Sequence, residues 1–373
     1  MGKHALLSAS SSHRWINCPP SARLSENYED KGSNYAAEGT DAHELCEYKL
    51  KNLLGISAKD PTKNLSYYNE EMEECANGYA TYILELLEDA KQTCPDPQLL
   101  IEQRLNLSKY VEGGFGTGDC VLVADNILQI LDYKHGQGYL VEAKDNPQMM
   151  LYSLGALEIF DGIYDIASVS MTIYQPRKGN ISTHTVPKES LYRWAEGVLK
   201  PAAMLAYAGD GEFKCGEWCQ FCKAKHECRA RAEQNMELAR YDFKLPPLLS
   251  DTEVENILGN IDELMSWASD LKDFALQMAI RGKQWNGYKL VEGRSYRRYT
   301  DEESVAEVVS SAGYDPFEKK VIGVTAMTSL LGKKRFEEIL GSYIEKPQGK
   351  PTLVPEGDKR PPINTAQNDF NEI

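Results

Sequence analysis

Apolar positions along the chain change period several times, and each change predicts an element. A short N-terminal helix starts near SASSSHRW, where serines can cap it, and stops at Cys18 because Pro19 and Pro20 follow. Helical spacing then covers about 36–54 (AAEGTDAHELCEYKLKNLL) and 69–92 (NEEMEECANGYATYILELLEDAKQ). Three strand-like runs follow: LLIEQRLNL (99–107), GTGDCVLVA (116–124) and ILQILDYKH (127–135). A helix opens near Asn146 and includes PQMMLYSLGALEIF; IASVSMTIYQP (166–176) and NISTHTV (180–186) read as a strand pair around PRKGN. A helix over about 188–207 leads to a cysteine-rich stretch and a further helix to about 241.

KLPPLLSD (244–251) reads as a linker, 252–282 as one long helix, GYKLVEGRSYRRYT as a small hairpin, and the region to about 341 as short helices. From 346 onward Pro, Gly and Asn dominate with little apolar content, so disorder is expected. The order of elements predicts an α/β fold, a mixed central sheet flanked by helices on both faces, plus a small C-terminal α+β module. The expected domains are 1–243, 252–345 and a tail over 346–373.

Composition narrows the classes. With 42% hydrophobic and 26% charged residues the chain has the make-up of a soluble globular protein, and it has no apolar run of 18 residues. MGKHALLSASSSHRW lacks the apolar core of a signal peptide, so a cytoplasmic location is expected. A net charge of −15 argues against a generally basic, nucleic-acid-coating surface, although it leaves room for a local basic channel beside metal-binding carboxylates. Nine cysteines in such a chain suggest metal binding or chemistry rather than a disulfide framework.

The 116–136 segment raises the central chemical question. Asp125-Asn126 is the simplest turn, and a two-residue loop makes cross-strand partners sum to 251, which sets Asp119 opposite Asp132. Facing carboxylates about 4.5–5.5 Å apart at Cβ share a proton or bind a divalent cation unless they are merely exposed strand ends. Lys134, two residues on, projects from the same face as Asp132.

Here the residues resemble a known superfamily. G-x-x-D (Gly116 to Asp119) followed by D-Y-K-H-G is similar to the core of PD-(D/E)XK nucleases, in particular the RecB-like branch. EGTDAHELCE resembles that branch's upstream helix with a metal-binding histidine, here His43, and QMMLY its Q-x-x-x-Y motif, here Gln148 and Tyr152. Glu102 matches an acidic residue of the preceding strand whose role is less defined. The resemblance covers about residues 9–235, and the whole chain resembles a phage-encoded group within the branch. It implies a restriction-endonuclease-like core in a protein of the bacterial host cytoplasm. It also implies a Mg²⁺ or Mn²⁺ site on His43, Asp119, Asp132 and the Tyr133 carbonyl, with Lys134 orienting or deprotonating water. Gln148 and Tyr152 would position DNA, the implied substrate, and a phage single-strand-binding or annealing protein is an implied partner.

The cysteines admit two readings. Cys215, Cys219, Cys222 and Cys228 within CGEWCQFCKAKHEC could form a zinc site by themselves. Alternatively Cys219, Cys222 and Cys228 join distant Cys18, a layout that resembles the iron–sulfur nucleases of the same branch and implies a 4Fe–4S cluster clipping the first helix to the last. Cys46, Cys75, Cys94 and Cys120 fall in apolar patterns and read as core thiols. Arg294, Arg297 and Arg298 offer either a phosphate track or an ordinary solvated hairpin face. The leading expectation is a metal-dependent DNA nuclease acting in phage recombination or DNA processing, and the resemblance implies an exonuclease. The competing one is a catalytically silent DNA-binding or assembly factor on the same fold.

Overall fold

Two prolines and two glycine-rich turns divide the N-terminal half of the chain much as its periodicity suggests. The computed structural model describes residues 5–28, 32–237, 249–291, 300–317 and 321–345. A 3-10 turn leads into α1 (Ser12–Asn17), which stops at Cys18 before the two prolines; a second short helix, α2 (Ser21–Ser25), follows them. The side chain of Ser33 caps α3 (Asn34–Leu53) by accepting from the Ala36 amide. Asn69 caps α4 (Glu70–Thr93) in the same way, and Glu70, Glu71 and Glu73 complement its dipole in the first turn.

The sheet comes next. β1 (Gln98–Asn106), β2 (Phe115–Ala124), β3 (Ile127–Tyr133), β4 (Ser168–Gln175) and β5 (Asn180–Pro187) lie side by side in chain order. Every pair is antiparallel except β3–β4, which is parallel and is joined through α5 (Pro147–Phe160). A parallel pair needs such a crossover, and this single one makes the sheet mixed. The architecture is α/β: a five-stranded mixed sheet with flanking helices.

Alternation along the strands gives each face its own core. Val121, Val123, Leu128, Ile130, Val169 and Ile173 pack with α5 and the N-terminal turn residues Leu7 and Trp15. Cys120, Leu131, Tyr133 and Tyr174 pack instead with Leu45 of α3 and Met72, Tyr79 and Ile83 of α4. After β5 the helical stretch α6 (Lys188–Trp194) runs through a π segment at Ala195–Leu199 into α7 (Lys200–Ala208). Pro201 explains the π segment, because it has no amide to donate and its ring crowds the carbonyl four residues back.

α8 (Arg229–Glu237) follows the cysteine-rich stretch. The helix expected over 252–282 is instead two, α9 (Asp251–Leu258) and α10 (Ile261–Ile280), broken at Gly259-Asn260, where a glycine favours a helix end. The chain divides into two compact units, Met1–Leu290 and Val291–Ile373, so α9 and α10 belong to the first. In the second unit, α11 (Glu302–Ser311) is followed by α12 (Val324–Leu331) and α13 (Lys333–Leu340), with Phe336 buried. Arg294, Arg297, Arg298 and the tail from 346 lie outside the described residues. Among the described residues no helix is long and apolar enough to cross a membrane.

Candidate active site at the open end of the sheet

The β2–β3 ladder runs from Ala124↔Ile127 to Cys120↔Leu131, the register that the Asp125-Asn126 turn demands, and Asp125 adopts φ 44° there. Asp119 and Asp132 are the next positions beyond its last pair. The strands change character at that point. A Cβ on Gly116 would meet Tyr152 Cε1 at 2.6 Å and one on Gly118 would meet Leu105 at 3.3 Å, so both positions face α5, as Val121 and Val123 do. Asp119 and Cys120, between them, both turn to the α3 side. Opposite this irregularity on β1, Glu102 holds φ 48°, a left-handed conformation that a glutamate adopts only when its surroundings impose it.

The hairpin therefore does not present its two aspartates symmetrically from one face. Asp119 works with α3: its Oδ2 lies 3.2 Å from His43 Nδ1 and accepts the Tyr133 amide at 2.7 Å. His43, Glu102 and Asp119 each place a potential ligand atom within 4.8 Å of the others. Burial would raise the Asp119 carboxyl, but His43, Lys134 and the Tyr133 amide outweigh it and hold it below its usual range. Burial likewise disfavours the His43 cation, yet Asp119 overrides it and lifts the imidazole to about 9. Glu102 is pushed up to about 7, first by burial and then by Asp119.

Asp132 works with α5. Asn146 caps α5 by accepting the Gln148 and Met149 amides, and Pro147 supplies a first-turn residue with no amide to satisfy. Gln148 thereby sits in the first turn, donates to Asp132 Oδ1 at 3.1 Å and lies 3.2 Å from both Tyr152 Oη and Lys134 Nζ. Lys134 Nζ pairs with Asp132 Oδ2 at 2.8 Å, although Oδ2 is buried with no aligned hydrogen-bond donor. The contact neutralises the Asp132 carboxylate without an aligned hydrogen bond. Burial raises the Asp132 carboxyl despite Lys134. For Lys134 burial pulls the other way, but Asp132 wins and the ammonium stays charged.

The expected residues thus form two arms, His43–Asp119 and Asp132–Lys134–Gln148–Tyr152, joined where the Tyr133 amide reaches Asp119. The Tyr133 ring is buried between His43 and Tyr79. Glu102, left without a defined role by its place in the strand pattern, belongs to the first arm. Its signal was weak, because a single glutamate in a half-buried strand does not reveal a positive φ.

The cysteines gather elsewhere. Cys18, Cys219, Cys222 and Cys228 line one small cavity of about 20 Å³ together with Arg14 and Arg231, and Cys215 does not line it. The Arg14 guanidinium at this cavity is held by the Ser21 carbonyl at 2.7 Å and the Ser25 hydroxyl at 2.8 Å. Burial raises the Cys18 and Cys219 thiols and pushes Cys215 up to about 12. Among the described residues the one group of three or more ligand atoms all within 4.8 Å of each other is His43, Glu102 and Asp119. Cys46, Cys94 and Cys120 are buried in the core and Cys75 is half-buried.

Residues 4–361 match the family described as "Protein of unknown function (DUF2800)", and the chain belongs to that family. The solved structure titled "Crystal structure of SSO0001" aligns with 52% of this chain and 98% of that one at 14% identity. Its TM-score of 0.21 is too low to carry an argument about fold or activity.

Proposed function

We propose that this chain is a metal-dependent deoxyribonuclease with a restriction-endonuclease-like core of the RecB-like kind. The observation that carries the reading is the convergence, at the open end of the sheet, of three potential ligands within 4.8 Å and a buried aspartate–lysine pair. Opposite ligands of one hard cation lie about 4.2 Å apart, given bonds of about 2.1 Å. His43, Glu102 and Asp119 are therefore within a small rotamer shift of a coordination set. The Asp132 carboxylate, paired with Lys134, is a further candidate donor beside them.

A divalent cation on these groups would supply the water activation and charge neutralisation that phosphodiester hydrolysis needs. The protein's own residues do the rest. Lys134, held cationic by Asp132 and braced by Gln148, offers its ammonium to a non-bridging phosphate oxygen. Gln148 and the Tyr152 hydroxyl orient Asp132, and the Tyr133 amide fixes Asp119. The test is digestion of end-labelled linear and circular DNA with Mg²⁺ or Mn²⁺ added back singly. Cleavage by wild type and none by Asp132→Ala, with DNA binding kept, is expected. Intact DNA under every condition would favour the silent DNA-binding factor instead.

The same reading assigns Cys18, Cys219, Cys222 and Cys228 to a 4Fe–4S cluster. They line one cavity together with Arg14 and Arg231. The pairing of Cys18 with the Cys219, Cys222 and Cys228 triplet resembles the layout of the iron–sulfur nucleases, which favours the cluster over zinc. Iron, sulfide and zinc analysis after anaerobic purification decides between the two.

A further inference from the structure

A cleft of about 1090 Å³ opens beside the proposed nuclease site, and none of the motifs accounts for it. Lys134 and Gln148 line one end, so it is continuous with the Asp132 arm, while His43, Glu102 and Asp119 do not line it. Its lining includes Ser8, Ser10 and Ser11 from the N-terminal 3-10 turn. It also includes an aromatic wall of Tyr139, Trp218 and Phe221, with the rings of Tyr139 and Phe221 5.4 Å apart at a 56° tilt. The cleft is at or above the upper end of the roughly 300–1,000 Å³ typical of small-ligand sites, room for more than one small ring system.

The aromatic wall is held in place. Buried Gln175, at the end of β4, donates to the carbonyls of Gly136 and Tyr139 at 2.9 Å and accepts the Val141 amide at 3.1 Å. Asn180 and Ser182 of β5 bond Val141 and Ala143 of the same loop. Even so, Tyr139 and Phe221 leave 52% and 54% of their surface open. Tyr139, on this braced loop, and Phe221, on the 3-10 turn Glu217–Phe221, both forgo hydrophobic burial, which a binding surface for other π faces explains.

Charge narrows the ligand. Arg14, Lys134, Lys144 and Lys223 line the cleft against Glu26, Glu142, Asp145 and Glu217, a balanced set in a chain of net charge −15. Groups of both signs are engaged: Glu142 by Ser182, Glu217 by His13, Arg14 by Ser21 and Ser25, and Lys134 by Asp132. A ligand suited to this lining has flat rings to stack, phosphates for hydroxyls and a few cations, and no need of a strongly positive groove. A duplex keeps its bases stacked on one another and cannot offer them to Tyr139 and Phe221.

We propose that the cleft lined by Tyr139, Trp218, Phe221 and the Ser8–Ser11 turn is a binding groove for single-stranded DNA, which stacks bases on the aromatic wall and leads the backbone to Lys134. The proposal rests on the nuclease reading for the fate of the strand but not for its binding.

The test uses the full chain in EDTA, with anisotropy of a labelled oligo-dT strand and of a duplex of equal length. Single strands should bind at least about tenfold more tightly than duplex. Tyr139→Ala with Phe221→Ala should weaken the single strand at least about tenfold, as base–aromatic stacking predicts, with the thermal melt unchanged. Tyr139→Phe should retain affinity. With three lysines on the backbone, the slope of log K against log salt should be shallow, about −2. Equal affinity for duplex, or no loss in the double variant, overturns the proposal even if the protein cleaves DNA. Selective binding that the double variant loses upholds it even if no metal elicits cleavage, and then only the nuclease reading fails.

Discussion

At the open end of the sheet, regular elements bring charged groups together, whereas the thiols converge from the N-terminal turn and a cysteine-rich loop far apart in sequence. The sheet-end cluster carries its own counter-charges: His43 answers Asp119 and Lys134 answers Asp132. It can stand without an ion. The cysteine cluster has burial that raises Cys18 and Cys219 towards neutral thiols, and must be deprotonated to hold a metal, so there binding and folding are linked. One cluster is preorganised by the fold; the other, on the proposed reading, would be completed only by the group it binds.

The largest effect that could break this contrast is on chemistry. Asp132→Asn should lower DNA hydrolysis on the order of 10³-fold or more, while Tm moves by only a few degrees. Collapse of the fold in that variant would mean that the sheet end is structural after all, and circular dichroism checks it.

Next comes the clasp behind the thiols. Arg231 is fully buried, lines the cysteine cavity and pairs at 2.7 Å with both Glu263 and Asp270 of α10. Arg231→Ala leaves Asp270 to Lys225 alone and Glu263 without this partner, and should cost about 1–3 kcal/mol in a denaturant titration.

Single cysteine changes sharpen the comparison further. Cys219→Ser should remove most bound metal and lower Tm, whereas Cys215→Ser should keep both. Equal metal loss in the two would return Cys215 to the ligand set.

The smallest effect is a pH dependence. Burial raises Asp270, but hydrogen bonds from Lys225 and Arg231 outweigh it and depress its carboxyl. A depressed folded pKa gives stability that is present above the unfolded value and lost as pH falls through the folded one, hence below about pH 4. Thermal melts from roughly pH 6 to pH 3 should show a steeper fall in wild type than in Asp270→Asn.

Much of the fold was legible because strand alternation and helix caps are local. The turn at Asp125-Asn126 settled the β2–β3 register, and Ser33, Asn69 and Asn146 sit at the helix starts they cap. The helix expected over 252–282 was misread because one glycine inside a helical pattern carries little weight until its surroundings are known. For the site, His43, Asp119, Asp132, Lys134, Gln148 and Tyr152 could be named in advance, but how they divide could not. That division depends on the shift at Asp119-Cys120 and on the positive φ of Glu102, which strict alternation does not encode.

By itself, then, the sequence determined the order of elements, the hairpin register and the inventory of charged and sulfur-bearing side chains, since each follows from interactions over a few residues. Only the tertiary structure decided that Glu102 joins His43 and Asp119, that Cys18 rather than Cys215 shares the cavity, and that an aromatic cleft abuts Lys134. Those outcomes depend on where distant segments dock, and docking is set by the packing of both faces of the sheet at once.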